Sequence, residues 1–186
     1  HNFITGVGNV GGYLIQQIKN QKDFISENLG LNLKILGISN SKKMLISKKE
    51  IDLKNWSGLL NDSNAKADKD IFQKTIIELN RRNSLFVDNT ASEIIPLTYK
   101  DYLKNGVGII TCNKISNSGT LSLYKELREL SRGHNTPFYY ETNVGAALPV
   151  ISTLKNLINS GDKVLKIEAV LSGTLNYIFN NFQEEN

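Results

Sequence analysis

A single cysteine, Cys112, stands in a chain of 186 residues, so no internal disulfide can form. With only two histidines beside it, a tetrahedral zinc site cannot be assembled either, and no structural metal is expected. No run of about 18 apolar residues is long enough to cross a bilayer, and the N-terminus lacks a basic segment followed by an apolar one. These absences point to the cytoplasm and away from a membrane. The excess of one charge over the other is also small. Twenty-two Lys and Arg against 18 Asp and Glu leave a net charge of +4, and the lysines are scattered rather than striped with aromatics. Nucleic acid is therefore a poor partner, and an anionic small molecule is a better one. Neither repeats nor low-complexity tracts occur.

What remains is an ordinary globular composition, 40% hydrophobic and 22% charged, long enough for one good core or for one domain plus part of another. The chain enters its first strand directly after His1 and stops at Gln183-Glu184-Glu185-Asn186 just past a helical pattern. Both ends read as those of a piece of a longer protein.

The stretch that organises the rest is Gly6-Val7-Gly8-Asn9-Val10-Gly11-Gly12. The β-prone Phe3-Ile4-Thr5 precedes it, and Val10, Leu14 and Ile18 follow four apart on one face of a helix. The glycines thus fall at a strand-to-helix turn. There Gly6 permits the turn, Gly8 admits a pyrophosphate close to the backbone, and Gly11 lets the helix pack on its strand. The N–H groups at the helix start face the phosphates. Without that context the pattern is only a glycine-rich turn.

Leu33 to Ile38 reads as a buried second strand that ends in Ser39-Asn40-Ser41-Lys42-Lys43. An acid here holds the adenosine 2′-hydroxyl of NAD, whereas hydroxyls, amides and cations suit the 2′-phosphate of NADP. This turn has no acid, which favours NADP, although Lys42 and Lys43 equally fit a solvated surface turn. Residues 44 to 82 are polar, with helical stretches at Trp56–Leu60 and Ile71–Leu79. Ile71, Thr75, Ile76 and Leu79 form the sheet-facing side of the second, and Trp56 anchors packing.

Three further strands end in polar clusters. Leu85-Phe86-Val87 runs into Asp88-Asn89-Thr90-Ala91-Ser92, where Thr90 is placed to touch a nicotinamide or ribose and Ser92 either does the same or caps a helix over Ile94–Leu103. Val107 to Thr111 runs into Cys112-Asn113-Lys114, where a lysine either stabilises a developing alkoxide or is simply solvated. After a helix with Leu123, Leu127 and Leu130 on one face, Phe138-Tyr139-Tyr140 leads into Glu141-Thr142-Asn143-Val144-Gly145-Ala146-Ala147-Leu148-Pro149. Val150, Ile151, Leu154, Leu157 and Ile158 then make an apolar helical stripe that belongs to a core or to a subunit interface. Val164–Leu171 alternates like a half-exposed strand, and Ser172-Gly173-Thr174 opens a last helix whose hydroxyls either cap it or bind an anion.

Taken in this order, the motifs over most of the chain resemble those of homoserine dehydrogenase, which interconverts aspartate 4-semialdehyde and homoserine with NAD(P)H. The wording around Ser39-Asn40-Ser41-Lys42 and Thr142-Asn143-Val144 is most similar to the dehydrogenase part of bifunctional aspartokinase/homoserine dehydrogenases. A kinase would then precede residue 1. The resemblance implies an α/β fold: a Rossmann-type doubly wound parallel sheet over residues 1–135, followed at 136–186 by the first elements of an α+β catalytic and dimerisation domain.

Residue by residue, it implies that Gly6, Val7, Gly8, Asn9, Val10 and Gly11 bind the pyrophosphate side of the cofactor. Ser39 and Asn40 border the adenosine, Thr90 and Lys114 lie by the nicotinamide, and Gly173 adds a cofactor contact. Lys114 is the catalytic residue. Glu141 with the carbonyls of Val144, Ala146 and Leu148 matches positions that hold a monovalent cation such as sodium, though Glu141 equally suits a local cap. The partners are a small-molecule substrate and, through the catalytic domain, a second subunit. Cys112 departs from the family, which usually has alanine or proline there. The residues that grip the substrate amino group and donate the proton fall in a segment this chain lacks, so the piece should bind cofactor and turn over little. Another NAD(P)-dependent small-aldehyde dehydrogenase, or a non-catalytic dinucleotide sensor, is the alternative.

Overall fold

The computed structural model describes residues 1–170 and 172–182, which form two compact units divided between Tyr139 and Tyr140. Leu171, the last residue of the expected final strand, and the terminal Gln183-Glu184-Glu185-Asn186 lie outside the described residues.

The first unit is a six-stranded sheet. Its strands are β1 (Asn2–Thr5), β2 (Ile35–Ser39), β3 (Met44–Ile46), β4 (Leu85–Asp88), β5 (Gly108–Thr111) and β6 (Phe138–Tyr139), in the spatial order β3-β2-β1-β4-β5-β6. All neighbours are parallel except β3, which returns antiparallel to β2. This is the doubly wound arrangement, with the order reversing at β1 between β2 and β4. Every residue of β1 and β2 is buried, as expected of parallel strands covered on both faces.

Two side-chain layers cover the sheet. On one face Ile4, Ile35, Ile38 and Val87 pack with Ile15 of α1 (Asn9–Leu29) and Leu60 of α2 (Trp56–Asp62). On the other, Phe86 stacks on Tyr102 of α4 (Tyr99–Lys104) at a 4.3 Å ring separation. Phe86 also meets Phe72 of α3 (Lys69–Leu79) and Tyr99 edge-on. Gly37 makes room for this layer, because a Cβ there would lie 2.7 Å from the Phe3 ring and 3.3 Å from Phe72. After the short α5 (Ile115–Ser118), helix α6 (Leu121–Gly133) buries Leu127 fully and packs against α4.

Several local expectations are corrected. In α3 the buried residues are Phe72 and Ile76, while Ile71 is exposed, so the inward face is turned by one position. The helix expected over Ile94–Leu103 begins as a 3₁₀ turn at Ile95–Thr98, with Pro96 in its first turn where no N–H is needed, and becomes α-helical only at Tyr99.

The second unit contains a 3₁₀ turn at Glu141–Asn143, α7 (Val150–Asn159) and α8 (Gly173–Asn181). No residue of α7 is buried, its apolar stripe included. The strand expected from Val164 pairs with nothing over 164–170. A strand needs a neighbour to take its N–H and C=O groups, and this unit offers none among the described residues. No helix among the described residues is long and apolar enough to cross a membrane.

Candidate functional site

The parallel register sets the site. Thr5 lies opposite both Ser39 and Asp88, and Asp88 lies opposite Thr111, so four strands end in one polar row at the carboxyl edge of the sheet. Period-two alternation turns these side chains to the face that carries Phe3, Phe86 and Ile109. All four are buried. The Thr5 and Ser39 hydroxyls are 2.7 Å apart, which satisfies both without water.

Beyond Thr5 the chain turns sharply at Gly6, whose φ of +81° lies in the left-handed region. The N–H groups of Gly6 and Val7 both donate to the Ser39 carbonyl, at 2.9 and 3.3 Å, which ties the turn to β2. That commits Val7's N–H and leaves those from Gly8 to Gly11. No side chain caps the start of α1, so its first N–H groups are available to an anion. Gly8 is exposed, with nothing within 4 Å of where a Cβ would stand. Beneath the turn, Asn89 Nδ2 is buried without a hydrogen-bond partner. An open cradle, uncapped N–H groups and a waiting amide donor fit a dinucleotide pyrophosphate.

Beside the cradle lies a cleft of about 350 Å³ between the ends of β1, β2 and β4. Ser39, Asn40 and Ser41 line one wall, Phe72, Ile94 and Ile95 supply apolar surface, and Asp68 and Lys69 come from the start of α3. Sequence reasoning missed this last pair, since α3 reaches the cleft only through the fold. Asp68 caps its helix through Oδ1, which accepts the N–H groups of Asp70 and Ile71, both at 2.9 Å. Asn40 Oδ1 similarly accepts the N–H groups of Lys42 and Lys43 at 2.8 Å, closing the turn to β3. Lys42 and Lys43 do not line the cleft. They border a separate surface cavity with Lys66, and Lys43 Nζ donates to the Asn61 carbonyl.

Thr90 and Lys114 sit on adjacent strand-end loops. Thr90 is half-buried and lines the cleft. Lys114 is exposed, and its carbonyl accepts N–H groups from Asn117 and Ser118 in the first turn of α5. Between the loops lies a buried polar network. Asp88 Oδ1 accepts the Thr90 N–H at 2.7 Å, and Oδ2 accepts from Tyr99 Oη at 2.6 Å and Asn113 Nδ2 at 3.2 Å. Burial pushes the Asp88 carboxyl above its ordinary value, and these donors pull only partly in the other direction. Burial, and then the Asp88 charge, raise Tyr99 too. The Cys112 thiol is raised by burial first and by Asp88 second.

In the second unit, the Glu141 carboxylate accepts the N–H groups of Ile151 and Ser152, both at 2.8 Å, one on each oxygen. These are orphan donors of the first turn of α7. The Leu148 carbonyl accepts the Val150 N–H at 2.9 Å, and Val144 and Ala146 lie in the intervening turn. The Glu141 carboxylate and the Leu148 carbonyl thus accept N–H groups at the start of α7, the local cap that the sequence also allowed for Glu141. Gly173 is the exposed first residue of α8, and Ser172 Oγ caps that helix by accepting the Leu175 N–H at 3.2 Å.

Residues 6–141 match the family model described as homoserine dehydrogenase, NAD binding domain, and residues 149–186 match that of homoserine dehydrogenase. Over 180 residues the chain is 44% identical to bifunctional aspartokinase/homoserine dehydrogenase 2, chloroplastic, of Arabidopsis thaliana, covering 96% of this chain but 20% of that protein. A Candida auris protein of unknown function has the same fold at a TM-score of 0.80 and 29% identity, over 99% of this chain and 51% of its own. A hyperthermophilic archaeal homoserine dehydrogenase in complex with NADPH superposes at a TM-score of 0.66 and 23% identity, over 85% of this chain and 49% of its own.

Proposed function

This chain belongs to the homoserine dehydrogenase family, and from that membership we propose that it is the cofactor-binding part of an enzyme interconverting L-aspartate 4-semialdehyde and L-homoserine with NADPH. The observation that carries the reading is the uncapped start of α1 beneath the Gly6 turn, open at Gly8 and flanked by the cleft at the ends of β1, β2 and β4.

Bound NADPH supplies the hydride that reduces the aldehyde carbon, and the resulting oxygen takes up a proton. The N–H groups from Gly8 to Gly11 hold the pyrophosphate. The apolar wall at Phe72, Ile94 and Ile95 takes the adenine. Asn40 and Ser41 receive the ribose 2′-phosphate and Ser39 borders the adenosine, while across the cleft the Lys69 ammonium pairs with Asp70 and Asp68 spends one carboxylate oxygen on its own helix. That set favours NADP over NAD. Thr90 contacts the nicotinamide side, and Lys114 places its ammonium against the oxygen on which charge develops.

On this reading residues 1–135 serve the dinucleotide, and 136–186 begin a catalytic domain that pairs with a second subunit in the whole enzyme. Cytoplasm or plastid stroma both suit the chemistry, and the Arabidopsis relative is chloroplastic by name.

The test is the shift in melting temperature with NADPH and with NADH at matched concentration. A ligand that binds only the folded state stabilises it by about 2.7 kcal/mol at a hundred times its dissociation constant. The expected result is a clear shift with NADPH and a smaller one with NADH. No shift with either ligand would overturn the reading, and a larger shift with NADH would overturn the cofactor preference.

A further inference from the structure

Asp88 is fully buried, yet among the described residues no lysine, arginine or histidine forms an ion pair with it. Neutral donors hold its charge, and each belongs to a segment bearing on the site. Oδ1 takes the N–H of Thr90. The single hydroxyl proton of Tyr99 goes to Oδ2, so the 2.8 Å contact between Tyr99 Oη and Thr111 Oγ1 is made with the proton of Thr111. Thr111 Oγ1 in turn accepts the N–H of Asn113 at 2.9 Å. Asn113 also spans the gap between the loops: Nδ2 reaches Asp88 Oδ2 and, at 2.8 Å, the Ser92 carbonyl, while Oδ1 accepts the Ile115 N–H at 3.0 Å. Lys114 therefore lies between two residues whose backbone N–H groups are both tied into this network. The carboxylate is the shared acceptor of three donors, the Thr90 N–H, the Tyr99 hydroxyl and the Asn113 amide, so it fixes where they stand relative to one another.

We propose that Asp88 is a positioning residue for the nicotinamide end of the site, acting through Tyr99 and Asn113 to hold the loops of Thr90 and Lys114 in fixed relation. This rests on the reading that those two residues face the nicotinamide. Asp88 touches no reacting atom itself. It sets where two residues that do so stand, as a fully satisfied buried network can.

The experiment compares NADPH with 2′-phospho-ADP-ribose, which lacks the nicotinamide, by calorimetric titration of the wild type, Asp88→Asn and Tyr99→Phe. Tyr99→Phe keeps the ring that packs on Phe86 and removes only the hydroxyl, which guards against a variant that fails to fold. Both variants should bind 2′-phospho-ADP-ribose within about twofold of the wild type. Both should bind NADPH roughly tenfold more weakly, the equivalent of one hydrogen bond to a charged group, with lower fluorescence anisotropy of the bound reduced nicotinamide. Equal weakening of both ligands would overturn the proposal, because the network would then only support the fold. Unchanged binding of both, or a wild type that binds the two equally, would overturn it as well. Binding of neither ligand by the wild type would instead overturn the underlying cofactor reading.

Discussion

The carbonyl oxygen of Gly6 stands where a side chain of Gly11 would begin: a Cβ built on Gly11 lies 2.3 Å from it. Gly8, three residues earlier, has open space in the same direction. Gly11→Ala should therefore destabilise the protein by about 1–3 kcal/mol, the usual cost of forcing a methyl into a packed site, and lower the melting temperature without any ligand. Gly8→Ala should melt close to the wild type and yet lose most of the stabilisation by NADPH, because its methyl takes the volume of a phosphate. Undiminished NADPH stabilisation of Gly8→Ala would remove Gly8 from the cradle.

The inward face of α1 runs through Gly11 and Ile15, with Leu14 and Ile18 flanking it, rather than through Val10, Leu14 and Ile18 as the four-residue spacing suggests. Gly11 must meet the turn at Gly6, and this fixes the helix's rotation. Val10 is left 58% exposed while Ile15 is completely buried. Ile15→Ala should cost about 2–5 kcal/mol in urea unfolding, and Val10→Ala should change stability by less than about 0.5 kcal/mol. Comparable losses would contradict this rotation.

Because burial raises the Asp88 carboxyl above 3.8, its value in the unfolded chain, the native state holds that proton more tightly than the unfolded one. The stability associated with this proton is complete below 3.8 and is lost as pH rises through the folded-state value. The margin of the wild type over Asp88→Asn in urea unfolding should therefore shrink from about pH 4 upward, by no more than about 1.4 kcal/mol per pH unit. It should then level off once the carboxyl is ionised. A margin that widens with pH would mean that hydrogen bonds outweigh burial.

Glu141 is reached by two N–H groups of α7. Glu141→Ala should lower stability by about 0.5–2 kcal/mol, as loss of a helix cap does. The melting temperature of the wild type should be the same in sodium, potassium and choline chloride at equal ionic strength. A sodium-specific rise that Glu141→Ala abolishes would instead place a cation at this turn.

What the sequence made legible is what strands and glycines dictate locally. The strand at Phe3-Ile4-Thr5, the turn at Gly6 and the polar ends after Ser39, Asp88 and Thr111 all follow from short-range rules, and parallel strands bring such ends to one edge. What was not legible depends on partners distant along the chain. The three-residue β3 exists because Asn40 closes a turn onto β2, and Met44-Leu45-Ile46 alone is too short to read. Asp68 and Lys69 look like part of a polar stretch until α3 carries them to the cleft. Asp88 could be quoted as a member of a polar cluster, but its role waits on Tyr99, which reaches it from α4. The strand expected at Val164 shows the converse, a good β pattern with no partner among residues 140–182.

The position of β1 in the middle of the sheet has a consequence for how the protein is made. It is the first of the six strands to be synthesised, and its two edges are closed by β2 and by β4, which starts only at Leu85. At translation rates of about 5–20 residues per second, roughly 4 to 17 s separate the emergence of β1 from that of β4. Through that interval one edge of β1 is unpaired, Ile4 lacks its neighbour Val87, and the phosphate turn has no floor, since Asn89 follows β4. The nascent chain is most open to aggregation in this window, and nucleotide cannot rescue it there, because the site it would bind is completed by the same strand that ends the exposure.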